Sequence, residues 1–105
     1  MKIAVTYENG QVFQHFGHTE QFKIYEAAEG KVVSARVVET GGSGHGALAG
    51  FLRGLGVDTL ICGGIGGGAR SALAEAGIQL YPGASGSADA QVEALLAGSL
   101  AYDPN

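Results

Sequence analysis

Nineteen of the 105 residues are glycine, and they fall in clusters rather than evenly along the chain. Gly41, Gly42, Gly44 and Gly46 form one group, and Gly63, Gly64, Gly66, Gly67 and Gly68 form another. Glycine permits φ > 0 and close approach to the backbone, but it weakens a helix interior by about 1 kcal/mol. A chain so rich in glycine is either disordered or uses glycine to punctuate short, well-patterned elements. Apolar residues make up 46% and charged residues 15%, which supplies a core and excludes the first alternative. The length suits one domain, read as spanning residues 1–105.

Between the glycines the patterning is strong. Lys2–Tyr7 reads as a strand with Ile3 and Val5 on one face, and Asn9-Gly10 turns the chain. Gln21–Ala28 and Lys31–Glu39 are two further strands, and Glu29-Gly30 between them marks an antiparallel hairpin. The rhythm then becomes helical. His45–Leu55 places Leu48, Phe51, Leu52 and Leu55 at helical spacing, with Gly56 as the stop. Asp58–Cys62 is a short buried-type strand, followed by a helix over about Gly67–Ala76 and a last strand, Ile78–Tyr81. Ser87 can cap a final helix, Ala88–Ala97. The order β-β-β-α-β-α-β-α predicts an α/β fold with a mixed five-stranded sheet flanked by helices. Gly46, Gly50 and Gly54 lie on one side of the first helix; an exposed, weak helix explains them better than a face for a partner.

Charge and cysteine usage narrow the partners. The net charge is −4 and the six basic residues are scattered, so the basic face that nucleic-acid binding needs is absent from the sequence. A single cysteine suits a reducing compartment. The apolar stretch before Tyr7 is too short for a signal peptide or a membrane span. The expectation is a cytoplasmic protein without a membrane partner, monomeric or weakly homodimeric.

Four side chains could carry chemistry. His15 and His18 are three apart, and a helical turn would bring both imidazoles to one metal, although loop histidines are also common on surfaces. Phe16 between them reads as a core residue. His45 stands between Gly44 and Gly46 at a helix entrance, either simply exposed or left unshielded for a ligand. Cys62 falls where open α/β sheets collect ligands, beyond a strand's carboxyl end. Two readings stand open for it: a thiolate favoured by the following helix N-terminus, or an inert buried thiol.

The run Gly63–Gly68 predicts an anion-binding nest of backbone N–H groups at a helix start. Gly64–Ala69 fits G-x-G-x-x-A, but the acidic residue a dinucleotide fold places about 20 positions later is missing. No phosphate-binding lysine follows the glycines. No two carboxylates are expected where strands end together, and one thiol cannot build a four-cysteine iron–sulfur site. A preassembled anionic cluster suits such a site; a nucleotide or phosphate ligand held by the nest, in a sensor or enzyme, is the alternative.

His15-Phe16-Gly17-His18 with Phe22, the run Ile61–Gly66, and the stretch Ala76-Gly77-Ile78 to Tyr81 together resemble the dinitrogenase iron–molybdenum cofactor biosynthesis family, the NifX-type domain also found at the C-terminus of NifB-type proteins. The resemblance covers essentially the whole chain. It implies an RNase H-like fold and a non-catalytic role: binding an iron–sulfur or iron–molybdenum cofactor, or its precursor, and passing it to a cofactor-assembly or acceptor protein. The family's H-F-G histidine carries over onto His15, beside Gly17. The expected metal ligands are therefore His15, His18, His45 and Cys62, with Gly17, Gly63, Gly64, Gly66 and Gly67 completing the cofactor site.

Overall fold

The computed structural model describes residues 1–41 and 47–104. Its strands are β1 (Lys2–Glu8), β2 (Gln11–Val12), β3 (Gln21–Ala28), β4 (Lys31–Glu39), β5 (Thr59–Ile61) and β6 (Gln79–Tyr81). Its helices are α1 (Leu48–Gly54), α2 (Gly67–Glu75) and α3 (Ala88–Ala97). The architecture is a mixed α/β sheet of six strands, not five: the order is β4-β3-β1-β5-β6, with the two-residue β2 pairing β1 off that path. The extra strand follows from the Asn9-Gly10 turn, where both residues take left-handed φ (49° and 84°) and fold Gln11 back against Glu8. Glu29-Gly30 does the same between β3 and β4, with φ of 55° and 77°.

β1 is the central strand, antiparallel to β3 and parallel to β5. Its period-2 alternation is buried on both faces: Ala4 joins Phe22, Ile24, Leu48, Leu52, Leu60 and Leu73, whereas Ile3 and Val5 join Tyr25, Ile61, Ala88 and Val92. Helices α1 and α2 thus cover one face and α3 the other. Ser87 caps α3 as its sequence predicts, its Oγ accepting from the Ala90 N–H at 3.2 Å. The expected start of the first helix at His45 lies outside the described residues. Among the described residues no helix is long and apolar enough to cross a membrane.

Because β1 and β5 run parallel, the segment after β5 and the segment after β2 emerge at the same end of the sheet. That is where the two sequence motifs meet.

Candidate functional site

The loop 13–19 is held from several sides. Thr6, fully buried on β1, donates its hydroxyl to the Phe13 carbonyl at 2.8 Å. Phe16, 2% exposed, sits in the core beside Phe22 with ring centroids 6.3 Å apart. Residues Phe16–His18 make one 3-10 turn, closed by the His18 and Thr19 N–H groups on the His15 and Phe16 carbonyls at 2.9 and 3.1 Å. Buried Thr19 adds a side-chain bond to the Phe16 carbonyl at 2.7 Å. With its backbone fixed in this way, His15 keeps its ring on the surface, edge-on to Phe13 at 6.0 Å.

The glycine loop docks on this segment. Gly64 N–H donates to the Gln14 carbonyl at 2.7 Å and Phe16 N–H donates to the Gly64 carbonyl at 3.1 Å, a parallel bridge between His15 and Gly64. Glycine is required at the contact itself. A Cβ at Gly63 would lie 2.6 Å from the Gln14 side chain and 2.7 Å from its Cα, and one at Gly64 would lie 2.9 Å from the Gln14 carbonyl. Gln14 Nε2 also reaches the Val12 and Ala84 carbonyls at 3.2 and 3.1 Å, joining β2 to the loop after β6. Nothing in the residue pattern singles out Gln14, since its partners are all backbone groups and two of them, on Gly64 and Ala84, are far away in sequence.

Between the two loops and α2 opens a cavity of about 740 Å³, lined by His15, Phe16, Gly17, Gly64, Ile65, Gly66, Gly68, Ala69 and Ala72. The walls are largely apolar and none of the lining residues is acidic. The floor is the start of α2. Gly66 stands at the N-cap position with no side chain to cap, and the first helical bond runs from Arg70 N–H to the Gly66 carbonyl at 3.1 Å. The N–H groups of Gly67, Gly68 and Ala69 therefore lack intrahelical partners and carry the positive end of the helix dipole.

The expected site residues separate. His15, Gly17, Gly64 and Gly66 line the cavity, and Phe16 both packs in the core and contributes to the wall. Gly63 is buried behind the bridge, and Gly67 and His18 are exposed but outside the lining. His45 lies outside the described residues. Cys62, for which a ligand thiolate at the mouth and an inert buried thiol both stood open, is 0% exposed and belongs to the core with Ala4, Phe16, Phe22 and Leu73, which is the second reading. Burial pushes its thiol up to about 12, against a smaller opposing pull from Arg70. The predicted nest also differs. None of Gly63, Gly64, Gly66, Gly67 or Gly68 adopts left-handed φ, and the Gly64 N–H is engaged by Gln14, so in this loop the free N–H groups are those of the α2 terminus. Among the described residues no three His, Cys, Asp or Glu side chains are grouped to hold a metal ion. Glu8, Glu20 and Glu39 line a separate recess of about 270 Å³.

The fold is a mixed-sheet α/β domain with a carboxylate-free mouth beyond its parallel strands. Residues 1–98 match the family model described as dinitrogenase iron–molybdenum cofactor, and the chain belongs to that family. It is 40% identical over 87 residues to the FeMo cofactor biosynthesis protein NifB of Sinorhizobium fredii; the match covers 75% of this chain and 18% of that protein, so the chain corresponds to a small part of it. Among solved structures, the crystal structure of PH0822 superposes with a TM-score of 0.93 at 27% identity, covering 100% of this chain and 96% of the other. The apo form of the orange protein from Desulfovibrio gigas superposes with a TM-score of 0.84 at 29% identity, covering 99% and 93%.

Proposed function

We propose that this chain binds a preformed anionic metal–sulfur cluster, the iron–molybdenum cofactor or an iron–sulfur precursor of it, and hands it to an assembly or acceptor protein without transforming it. The observation that carries this reading is the His15–Gly64 bridge, which sets one exposed imidazole and the uncapped start of α2 on the same carboxylate-free mouth. The donor set fits cargo rather than a resident centre. One imidazole can take a single metal position, and the amides of Gly67, Gly68 and Ala69 can accept negative sulfur or oxygen atoms. Phe16, Ile65, Ala69 and Ala72 exclude water from the remaining surface. With so few protein ligands, the cluster must arrive assembled and can leave again. The acceptor is a protein whose own site offers more ligands. The family assignment supports the same cargo.

The test is an anaerobic titration of the purified chain with iron–molybdenum cofactor and with a synthetic iron–sulfur cluster, and separately with ATP and NAD. A visible absorption band and a thermal shift with a cluster are expected; ligand at 100 times its Kd should stabilise the fold by about 2.7 kcal/mol. A shift with a nucleotide and none with either cluster would sink the carrier reading.

A further inference from the structure

The two edges of the sheet are unlike. β6 closes one edge with only three residues, and Tyr102 packs edge-on against its Tyr81 with ring centroids 4.9 Å apart. β4 closes the other with nine residues and, among the described residues, pairs with β3 alone. An edge of that length presents a row of unpaired N–H and C=O groups, which proteins normally blunt with proline, charge or bulges. β4 has no proline, and it exposes Val33 (65%) and Val37 (44%). Its one irregularity is a shift of register against β3 between Glu26 and Ala27, which leaves Val33 as the extra residue.

The sequence of this edge says what covers it. Lys-Val-Val-Ser-Ala-Arg-Val-Val-Glu is self-complementary about Ala35. Paired antiparallel with itself at that point, Val37 of one copy lies against the Val32–Val33 step of the other, and Arg36 faces Ser34. Lys31 of each copy reaches the Glu39 end of its neighbour. A centre on Arg36 would instead oppose two guanidinium groups, and in-register parallel pairing would put like charges side by side. The Glu39 end also carries excess negative charge, because Glu8, Glu20 and Glu39 line one recess there, with Glu39 accepting only from the neutral Gln21 amide at 3.1 Å among the hydrogen bonds of the described residues. Lys23, the cation over the nearby Tyr7 ring, is already paired with Asp89 at 2.8 Å. We propose that β4 is a homodimer edge: two copies join through antiparallel β4–β4 pairing centred on Ala35, continuing the sheet from one subunit into the next. β4 contributes no residue to the His15 mouth, so both mouths stay open in the dimer. One strand pair is a small interface, and the dimer is correspondingly weak and concentration-dependent.

Sedimentation velocity of the full chain across a range of concentrations tests this. The wild type should move from 10.6 kDa towards twice that mass. Val33→Lys, at the extra residue with no β3 partner, should raise the dimer Kd at least tenfold while the circular dichroism spectrum and Tm stay those of the wild type. Lys31→Glu and Glu39→Lys should each weaken self-association, because every subunit then meets its own charge, and an equimolar mixture of the two should associate more tightly than either alone. A wild type that stays monomeric at millimolar concentration overturns the proposal. So does a Val33→Lys variant that dimerises as the wild type does, or a mixture no tighter than its components.

Discussion

Gly64 and Gln14 touch at 2.7 Å, N–H to carbonyl, and a Cβ on Gly64 would lie only 2.9 Å from that same oxygen. This contact aligns the glycine loop with the His15 segment, so the mouth exists only while residue 64 has no side chain. Its neighbour Gly63 is tighter still. Both glycines serve the fold at this point, whereas those that follow serve the opening.

That division predicts opposite outcomes for alanine substitution along one loop. Gly63→Ala drives a Cβ to 2.7 Å from the Gln14 Cα, which is backbone and cannot swing away, so a loss of about 1–3 kcal/mol is expected in urea denaturation. Gly68→Ala meets nothing within 4 Å and lies inside α2, so stability should rise by about 0.5–1 kcal/mol. Yet Gly68 lines the cavity, and cluster titration should show weaker binding in the more stable protein.

His15 is exposed and its ring is outside the hydrophobic core. His15→Ala should leave the urea midpoint unchanged and weaken cluster binding at least tenfold, about 1.4 kcal/mol. Equal affinity in the anaerobic titration would remove His15 from the site.

Cys62 supplies a test at alkaline pH. Its thiol is pushed up to about 12 by burial, whereas the ordinary value is 9.0. The folded state therefore holds this proton more tightly than the unfolded state. The resulting stability is fully present below pH 9 and is lost as pH rises towards 12. Burial and the Asp89 carboxylate also raise Tyr25, which titrates in the same direction, so the cysteine contribution is isolated by comparison. The stability of Cys62→Ala should fall less steeply with pH than that of the wild type above pH 9. Native protein should resist alkylation at pH 8 and react only on unfolding.

Asp89 governs the acid side. The Lys23 ammonium, at 2.8 Å, and then the Tyr25 hydroxyl, at 2.6 Å, hold its carboxyl below the ordinary 3.8. A depressed folded value means stability present above the unfolded value and lost as pH falls through the folded one. The Asp89 side chain is 66% exposed, so solvent screening limits the pair to about 0.5 kcal/mol. Asp89→Asn should cost that much at pH 7 and progressively less as pH falls below 3.8, measured by urea midpoints along that series.

Local chemistry made most elements legible. Gln21–Ala28, Lys31–Glu39 and Ala88–Ala97 fall at the bounds their turns and caps predict, because a two-residue turn or an N-cap serine acts within a few residues. The same locality marked His15 and the glycine run as the places to look. What the chain alone left open were contacts between residues distant in sequence. Cys62 follows a buried strand, and only its place in the core, in one cluster with Phe16, Phe22 and Leu73, decides that its thiol is sealed in rather than offered to a ligand. The three glutamates at residues 8, 20 and 39 come from three different segments, and the sheet order β4-β3-β1 brings them together.

The sequence by itself therefore determined the punctuation: where strands and helices begin and stop, and that a glycine-rich loop and a histidine loop would lie beyond strand ends. Tertiary structure decided which of those groups meet. Docking Gly64 on Gln14 selects His15 and the start of α2 for the mouth, and burial withdraws Cys62. Backbone hydrogen bonds across 50 residues carry no local signature, because any residue supplies the N–H and C=O that make them.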